Sequence, residues 1–130
     1  MKSISVRTQK HTQFLDITYE VQSRISDLGV KHGIVTVFVP HTTAGITINE
    51  NADPSVVRDI LSTLSDLVPQ DRPYTHYEGN SDSHIQASLM GFSVHVIVED
   101  GKLQLGTWQG IYFCEFDGPR SRQVWVKLLG

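Results

Sequence analysis

Residues 92–128 carry apolar side chains in alternation or short runs, interrupted only by tight turn signals, and leave no length for a helix. Val94, Val96 and Val98 alternate with Ser93, His95 and Ile97, and Asp100-Gly101 supplies two residues that accept a positive φ. Further strands are predicted over 103–108, 111–116 and 122–129, with Gly118-Pro119 punctuating the last two. Strands that follow one another so closely argue that this half of the chain folds as sheet.

The first half has another rhythm. Residues 2–8 read as a strand and 13–15 as a short partner. Asp16 is placed to cap a helix in which Ile17, Val21, Ile25 and Leu28 recur at helical spacing, stopped by Gly29. The β-branched run over 33–39 predicts a strand buried on both faces and ended by Pro40, and 45–48 predicts a second strand. Asp53-Pro54 opens the clearest helix, with Val57, Ile60, Leu61 and Leu64 on one face. After a loop over 69–82, Ser83-His84-Ile85-Gln86 matches a capping box for a helix that stops at Gly91. About seven strands and three helices imply one α+β domain over residues 1–130, built around antiparallel or mixed sheets.

Composition removes several function classes. An apolar fraction of 39% and a charged fraction of 19% belong to a globular chain. There is no run of about 18 apolar residues, so no membrane helix is expected. The first seven residues alternate polar and apolar types without the apolar stretch of a secretory signal. The lone cysteine, Cys114, allows no intrachain disulfide and reads as a small buried hydrophobe. A cytoplasmic protein is the expectation. Residues 50–100 hold nine acids against Arg58 and Arg72, so no basic stripe for nucleic acid is visible and a cation suits the middle of the chain better.

Six histidines divide into two groups. His11 and His32 sit beside predicted turns and read as solvated, whereas His95 shares a strand face with Ser93 and Ile97 and suits a half-exposed or subunit-contact position. His41, His76 and His84 lie at a strand end, in a long loop and at a helix start, where a core role explains them poorly. Three imidazoles with an open fourth position are a familiar setting for zinc, although these spacings match no fixed motif, and separate surface and capping roles compete. Segment 41–53 is dense in polar groups: Thr42 and Thr43 are candidates to bond an anion, Glu50 to act as a base or to orient a metal-bound histidine, and Asn49 to position substrate. Asp53 and Asn51 are explained by capping and turn formation. Within Gly106-Thr107-Trp108-Gln109-Gly110, either Trp108 packs beneath a strand bend or it walls a pocket with Gln109 as a hydrogen-bonding arm. Arg120 and Arg122 are the candidates for a two-pronged phosphate clamp.

Taken together these segments resemble the YjbQ-like family, whose members are often labelled secondary thiamine-phosphate synthases. The pieces that carry the resemblance are His41-Thr42-Thr43-Ala44 continuing into Thr47 through Pro54, Glu78-Gly79-Asn80 followed by Ser83-His84-Ile85, Ser88 through Gly91, and Gly106-Thr107-Trp108-Gln109-Gly110-Ile111. The resemblance implies an α+β fold with a β-sandwich of two packed sheets and assembly as a homotrimer. It implies a divalent metal, zinc by preference, at His41, His76 and His84, and an end region here represented by Glu115, Gly118, Arg120 and Arg122. It also implies weak joining of a thiazole phosphate to a pyrimidine diphosphate. The chain has no Gly-rich phosphate loop and no Asp-rich magnesium motif of a dedicated diphosphate enzyme. Three functions are therefore expected to compete: a metal-dependent enzyme acting on a small phosphorylated metabolite, a non-catalytic metabolite- or anion-binding trimer, and a trimer whose metal only fastens loops.

Overall fold

The computed structural model describes all residues, Met1–Gly130. Eight strands and three helices follow in the order β1 (Lys2–Arg7), β2 (Gln13–Asp16), α1 (Thr18–Asp27), β3 (Gly33–Phe38), β4 (Ala44–Glu50), α2 (Pro54–Leu67), α3 (Ser81–Met90), β5 (Ser93–Glu99), β6 (Lys102–Leu103), β7 (Gln109–Glu115) and β8 (Ser121–Leu128). A five-stranded sheet, β1-β8-β3-β5-β6, stacks on a three-stranded sheet, β2-β7-β4, and every ladder is antiparallel. The domain is the α+β double sheet that the sequence implies, without a parallel pair.

One core of 17 buried residues lies between the sheets. The large sheet contributes alternate valines and isoleucines, such as Val35, Val37, Val96, Val98, Val124 and Val126, and the small sheet contributes Ile46, Ile111 and Phe113. Val21 and Ile25 of α1 complete this layer beside the narrower sheet. A second cluster of five residues, with Leu64, Ala87, Tyr112, Cys114 and Phe116, fills the other face of the small sheet beneath α2 and α3. Because both its faces are covered, β7 is buried from Gly110 onward, and Cys114 is wholly enclosed with its thiol pKa pushed far up by burial.

Four local expectations are corrected. The strand at 33–38 is buried on one face only: Ile34 is 45% exposed and Thr36 and Phe38 are half-buried, because no layer covers the outside of the large sheet. Ser83 and Gln86 do not form a capping box. α3 begins three residues earlier, at Ser81 with Asn80 as its cap, and both side chains are drawn into tertiary bonds, Ser83 Oγ to Phe116 O and Gln86 Nε2 to Leu64 O and Val68 O. The strand expected over 103–108 is reduced to Lys102–Leu103, and residues beyond it turn back through Gln109 N–H to Gly106 O. Asp16 stands one position outside α1's cap residue Ile17, yet its carboxylate still accepts from Thr18 N and Oγ1. The remaining signals are met: Asp53 accepts from Ser55 N ahead of Pro54, and Asp100 and Gly101 take φ of 52° and 74° at the hairpin tip.

Candidate functional site

β3 ends at Phe38, and the chain crosses through Pro40 and His41 to begin β4 at Ala44. β4 can approach α3 closely because residue 45 is glycine: a Cβ there would stand 2.8 Å from Gly91 O and 2.9 Å from Met90 Cβ. That close packing sets His84, on α3, beside the 41–43 crossing. The loop ahead of α3 brings His76 in, and its ring meets that of His84 edge-on with centroids 5.2 Å apart. His41, His76 and His84 thus line one cavity of about 400 Å³, together with Thr42, Thr43, Glu78, Asn80, Asp117, Arg120 and Arg122. No apolar side chain other than Pro40 borders it. His84 also borders two neighbouring cavities, one shared with His41, Ala87 and Phe92 and one with Tyr74 and His76. The half-buried His84 imidazole is therefore the junction of the cleft.

Behind the cavity lies a buried network. Glu115 is 0% and Arg122 6% exposed. Arg122 Nε donates to Glu115 Oε1 at 2.8 Å and its Nη2 reaches Glu115 Oε2 and Thr43 Oγ1, the latter at 2.9 Å. Thr8 Oγ1 donates to Glu115 Oε1, and Asp117 N–H donates to Oε2. Burial pushes the Glu115 carboxyl up, but the bonds from Arg122, Thr8 and Asp117 N–H outweigh it and hold the pKa below the usual carboxylate value. His41 is shifted the other way from a free imidazole's tendency to protonate: burial and then the Arg122 charge lower its pKa, so the ring stays neutral. Its Nε2 accepts from Gln123 N–H at 2.9 Å, which fixes the proton on Nδ1.

This arrangement answers the ligand question for the three imidazoles. A metal-bound nitrogen needs its lone pair, and the one His41 has is given to Gln123 N–H. No three His, Cys, Asp or Glu side chains are placed to hold one ion. The residues do not fit a three-histidine centre; His41 is an N–H donor to the cleft, while His76 and His84 retain their nitrogens for other partners. The phosphate-clamp expectation changes for the same kind of reason. Arg122 is consumed by Glu115, and Arg120 bonds Asp117 through its Nε to the carbonyl and its Nη2 to the carboxylate, each at 2.8 Å.

Three other candidates lie elsewhere. Asn49, Glu50 and Gln109 stand at the far end of the small sheet, where Glu50 pairs with Gln109 across β4 and β7. Six residues of strand separate them from Ala44, about 20 Å. Asn49 Oδ1 accepts from Glu50 N–H and Gln109 Oε1 from Gly106 N–H, so both amides serve local turns. Trp108 is 62% exposed and neither packs beneath a bend nor borders a cavity with the histidines. Conversely, Asn80 had no assigned role in the sequence. Its Nδ2 bonds Asp117 Oδ2 while its Oδ1 is buried in the cleft wall without a hydrogen-bond partner. The adjoining Gly79, at φ 76°, is the turn that aims it, and Glu78-Gly79-Asn80 was the available signal.

The family model described as UPF0047 protein YjbQ-like matches residues 2–130. The chain belongs to the UPF0047, YjbQ-like family. Within this family it is 57% identical over 125 residues to UPF0047 protein MJ1081 of Methanocaldococcus jannaschii, covering 96% of this chain and 91% of that one. It is 48% identical to UPF0047 protein YugU of Bacillus subtilis, across 100% and 99% of the two chains. The crystal structure of a YjbQ/UPF0047 protein from Clostridium acetobutylicum, described as an uncharacterized conserved protein, superposes with a TM-score of 0.96 at 56% identity, covering 99% of this chain and all of that one. YjbQ-like membership thus accounts for the fold, and the chemistry has to be argued from the cleft.

Proposed function

We propose that this YjbQ-like protein is a homotrimeric enzyme that binds a small phosphate-bearing metabolite in the His41–His84 cleft, with a weak transfer resembling thiamine-phosphate synthesis among its activities. The observation that carries this reading is the convergence of three imidazoles and two threonines, from three separate segments, on one polar cavity of about 400 Å³. That volume suits a small metabolite. His41 Nδ1–H and the exposed Thr42 hydroxyl are donors for phosphate oxygens. His84, at the junction of the cleft, is the general acid–base group of this reading. In the joining reaction the thiazole nitrogen bonds the pyrimidine's methylene carbon as the carbon–oxygen bond to diphosphate breaks, and donors already aimed at the departing diphosphate, which gathers the negative charge, lower that barrier. No step is assigned to a metal. If zinc binds, its imidazoles are His76 and His84.

The test is calorimetric titration with inorganic pyrophosphate and with thiazole phosphate, followed by turnover assays. His84→Ala and Thr42→Val are expected to weaken binding about tenfold each, the loss of one hydrogen bond to a charged group. Unchanged binding in both variants rejects the cleft as the site. A second reading, binding without catalysis, is favoured by the arginines: both are already engaged by carboxylates, leaving no unpaired cation beside a leaving group. Saturable pyrophosphate uptake with no product from any phosphorylated pair would select it.

The trimer draws support from the uncovered outer face of the large sheet. Phe38 stacks on Trp125 at 5.8 Å and 10° and meets Phe92 edge-on, and Ile34, Ile97 and Phe92 are exposed beside them. An antiparallel sheet tolerates one wet face, but an apolar patch of this kind is typical of an interface. Light scattering should give three times the 14.6 kDa chain mass, and Ile97→Lys should lower it. A monomeric wild type would reject the assembly.

A further inference from the structure

The cations at the histidine cleft are paired, and the unpaired ones that face a cavity lie elsewhere. α2 is seated through its C-terminal half: Leu64 is its buried residue, and Gln86 bonds Leu64 O and Val68 O. Val57 and Ile60 in its first turns pack against the cluster on the small sheet, yet a cavity of about 380 Å³ remains at the helix start between helix and strand. Phe14 and Tyr112 form the floor, their rings tilted at 42° with centroids 5.8 Å apart. Val57 and Leu61, one helical turn apart on α2, form the opposite wall. Tyr112 keeps its hydroxyl out of the cavity's chemistry by donating to Glu50 O at 3.1 Å, so it offers its ring.

The rim carries Lys10 and Arg58. Neither lies within 4.0 Å of a carboxylate oxygen, and neither side chain makes a hydrogen bond. Asp16 accepts from Thr18 and Asn51 and Asp53 from the Ser55 amide; Asp53 also feels the Arg58 charge, and the Asp16 charge reaches Tyr112, but neither carboxylate comes within salt-bridge distance of Lys10 or Arg58. No acidic residue borders the cavity. Two unpaired cations over an aromatic and aliphatic floor match one ligand chemistry, a flat apolar body with a single anionic end. A free inorganic anion would leave the floor unused, and a neutral ring would leave the cations unused.

We infer that the space between α2 and the small sheet is a second binding site, independent of the histidine cleft, for a small aromatic anion of the arylcarboxylate type. The probe is 1-naphthoate, titrated into the full-length protein and followed by amide chemical shifts, with 1-naphthylmethanol as the neutral counterpart. Saturable shifts are expected at Phe14, Val57, Arg58 and Tyr112, with about tenfold weaker binding of the alcohol and of the Lys10→Gln/Arg58→Gln protein. Both substituted side chains are exposed, so the variant should fold, and unchanged pyrophosphate binding at the cleft would verify that. Absence of saturable shifts, equal binding of the alcohol, equal binding by the double variant, or shifts confined to His41 and His84 would each overturn the assignment. Closure of this space by another copy of the chain would appear as the first of these outcomes.

Discussion

The two ends of β4 differ in almost every physical respect although both are rich in polar residues. At the Ala44 end, Thr43 is buried, Arg122 and Glu115 neutralise each other, and the His41 pKa is lowered by burial and then by the Arg122 charge while its Nε2 accepts from Gln123 N–H. At the Glu50 end, Asn49 and Gln109 are exposed and satisfy only neighbouring backbone amides. A cleft therefore needs more than polar residues: it needs side chains held from behind by partners that cannot be replaced by water. Only the first end has them.

The largest test of this contrast removes the support itself. Glu115→Ala leaves the Arg122 charge buried without its partner and should cost about 3–5 kcal/mol in urea unfolding, while Glu50→Gln should stay within about 0.5 kcal/mol. A cost below about 1 kcal/mol for Glu115→Ala would break the comparison. Next, Gly45→Ala forces a Cβ into the α3 backbone at Gly91 O and should cost about 1–3 kcal/mol. Gly110→Ala meets Asn51, whose amide can rotate aside but whose Cβ, 2.9 Å away, yields only with the exposed loop backbone that carries it, and should cost less than the clash with Gly91 O. Equal costs for the two glycines would mean that the ends are equally tight.

Acid sharpens the same difference. Unfolded His41 takes up a proton below its ordinary 6.5 while the folded ring resists it, so stability falls with pH from there. Glu115 contributes stability that is present above its ordinary 4.5 and is lost as pH falls through its lower folded value. The acid limb of an unfolding-versus-pH curve should accordingly begin near 6.5, and His41→Asn should flatten its first part. An unchanged slope between 6.5 and 4.5 in that variant would remove His41 from the account. The smallest effect is expected in binding: Glu50→Gln and Gln109→Ala should alter pyrophosphate affinity less than about twofold, since surface changes away from a site are near neutral. A large loss instead would mean that one subunit's Glu50 end meets its neighbour's histidine cleft.

Much of the fold was legible because it rests on local rules. The valine alternation over 94–98 with Asp100-Gly101, and the Asp53-Pro54 start of α2, depend on backbone dihedrals and on residues a few positions away. Ser83 and Gln86 misled for the opposite reason: their types fit a local cap, but Phe116 O, Leu64 O and Val68 O offered buried acceptors that no local pattern announces. Of the site, the meeting of His41, His76 and His84 was anticipated, whereas the commitment of the His41 lone pair to Gln123, 82 residues away, was not.

By itself the sequence determined the strand character of the second half, the three helices, the solitary buried thiol and the residue types of the cleft, since periodicity, turn chemistry and composition act over short stretches of chain, whereas the pairing of β7 with β2 and β4 and of β8 with β1 and β3 was left to the tertiary structure. Tertiary structure alone decided which of those residues have hydrogen-bonding capacity to spare. It committed Arg120 and Arg122 to carboxylates, left Lys10 and Arg58 unpaired, and set Glu50 a strand's length from the histidines. Pairing depends on which distant segments the sheets bring within about 3 Å, and that distance is fixed by packing rather than by order along the chain.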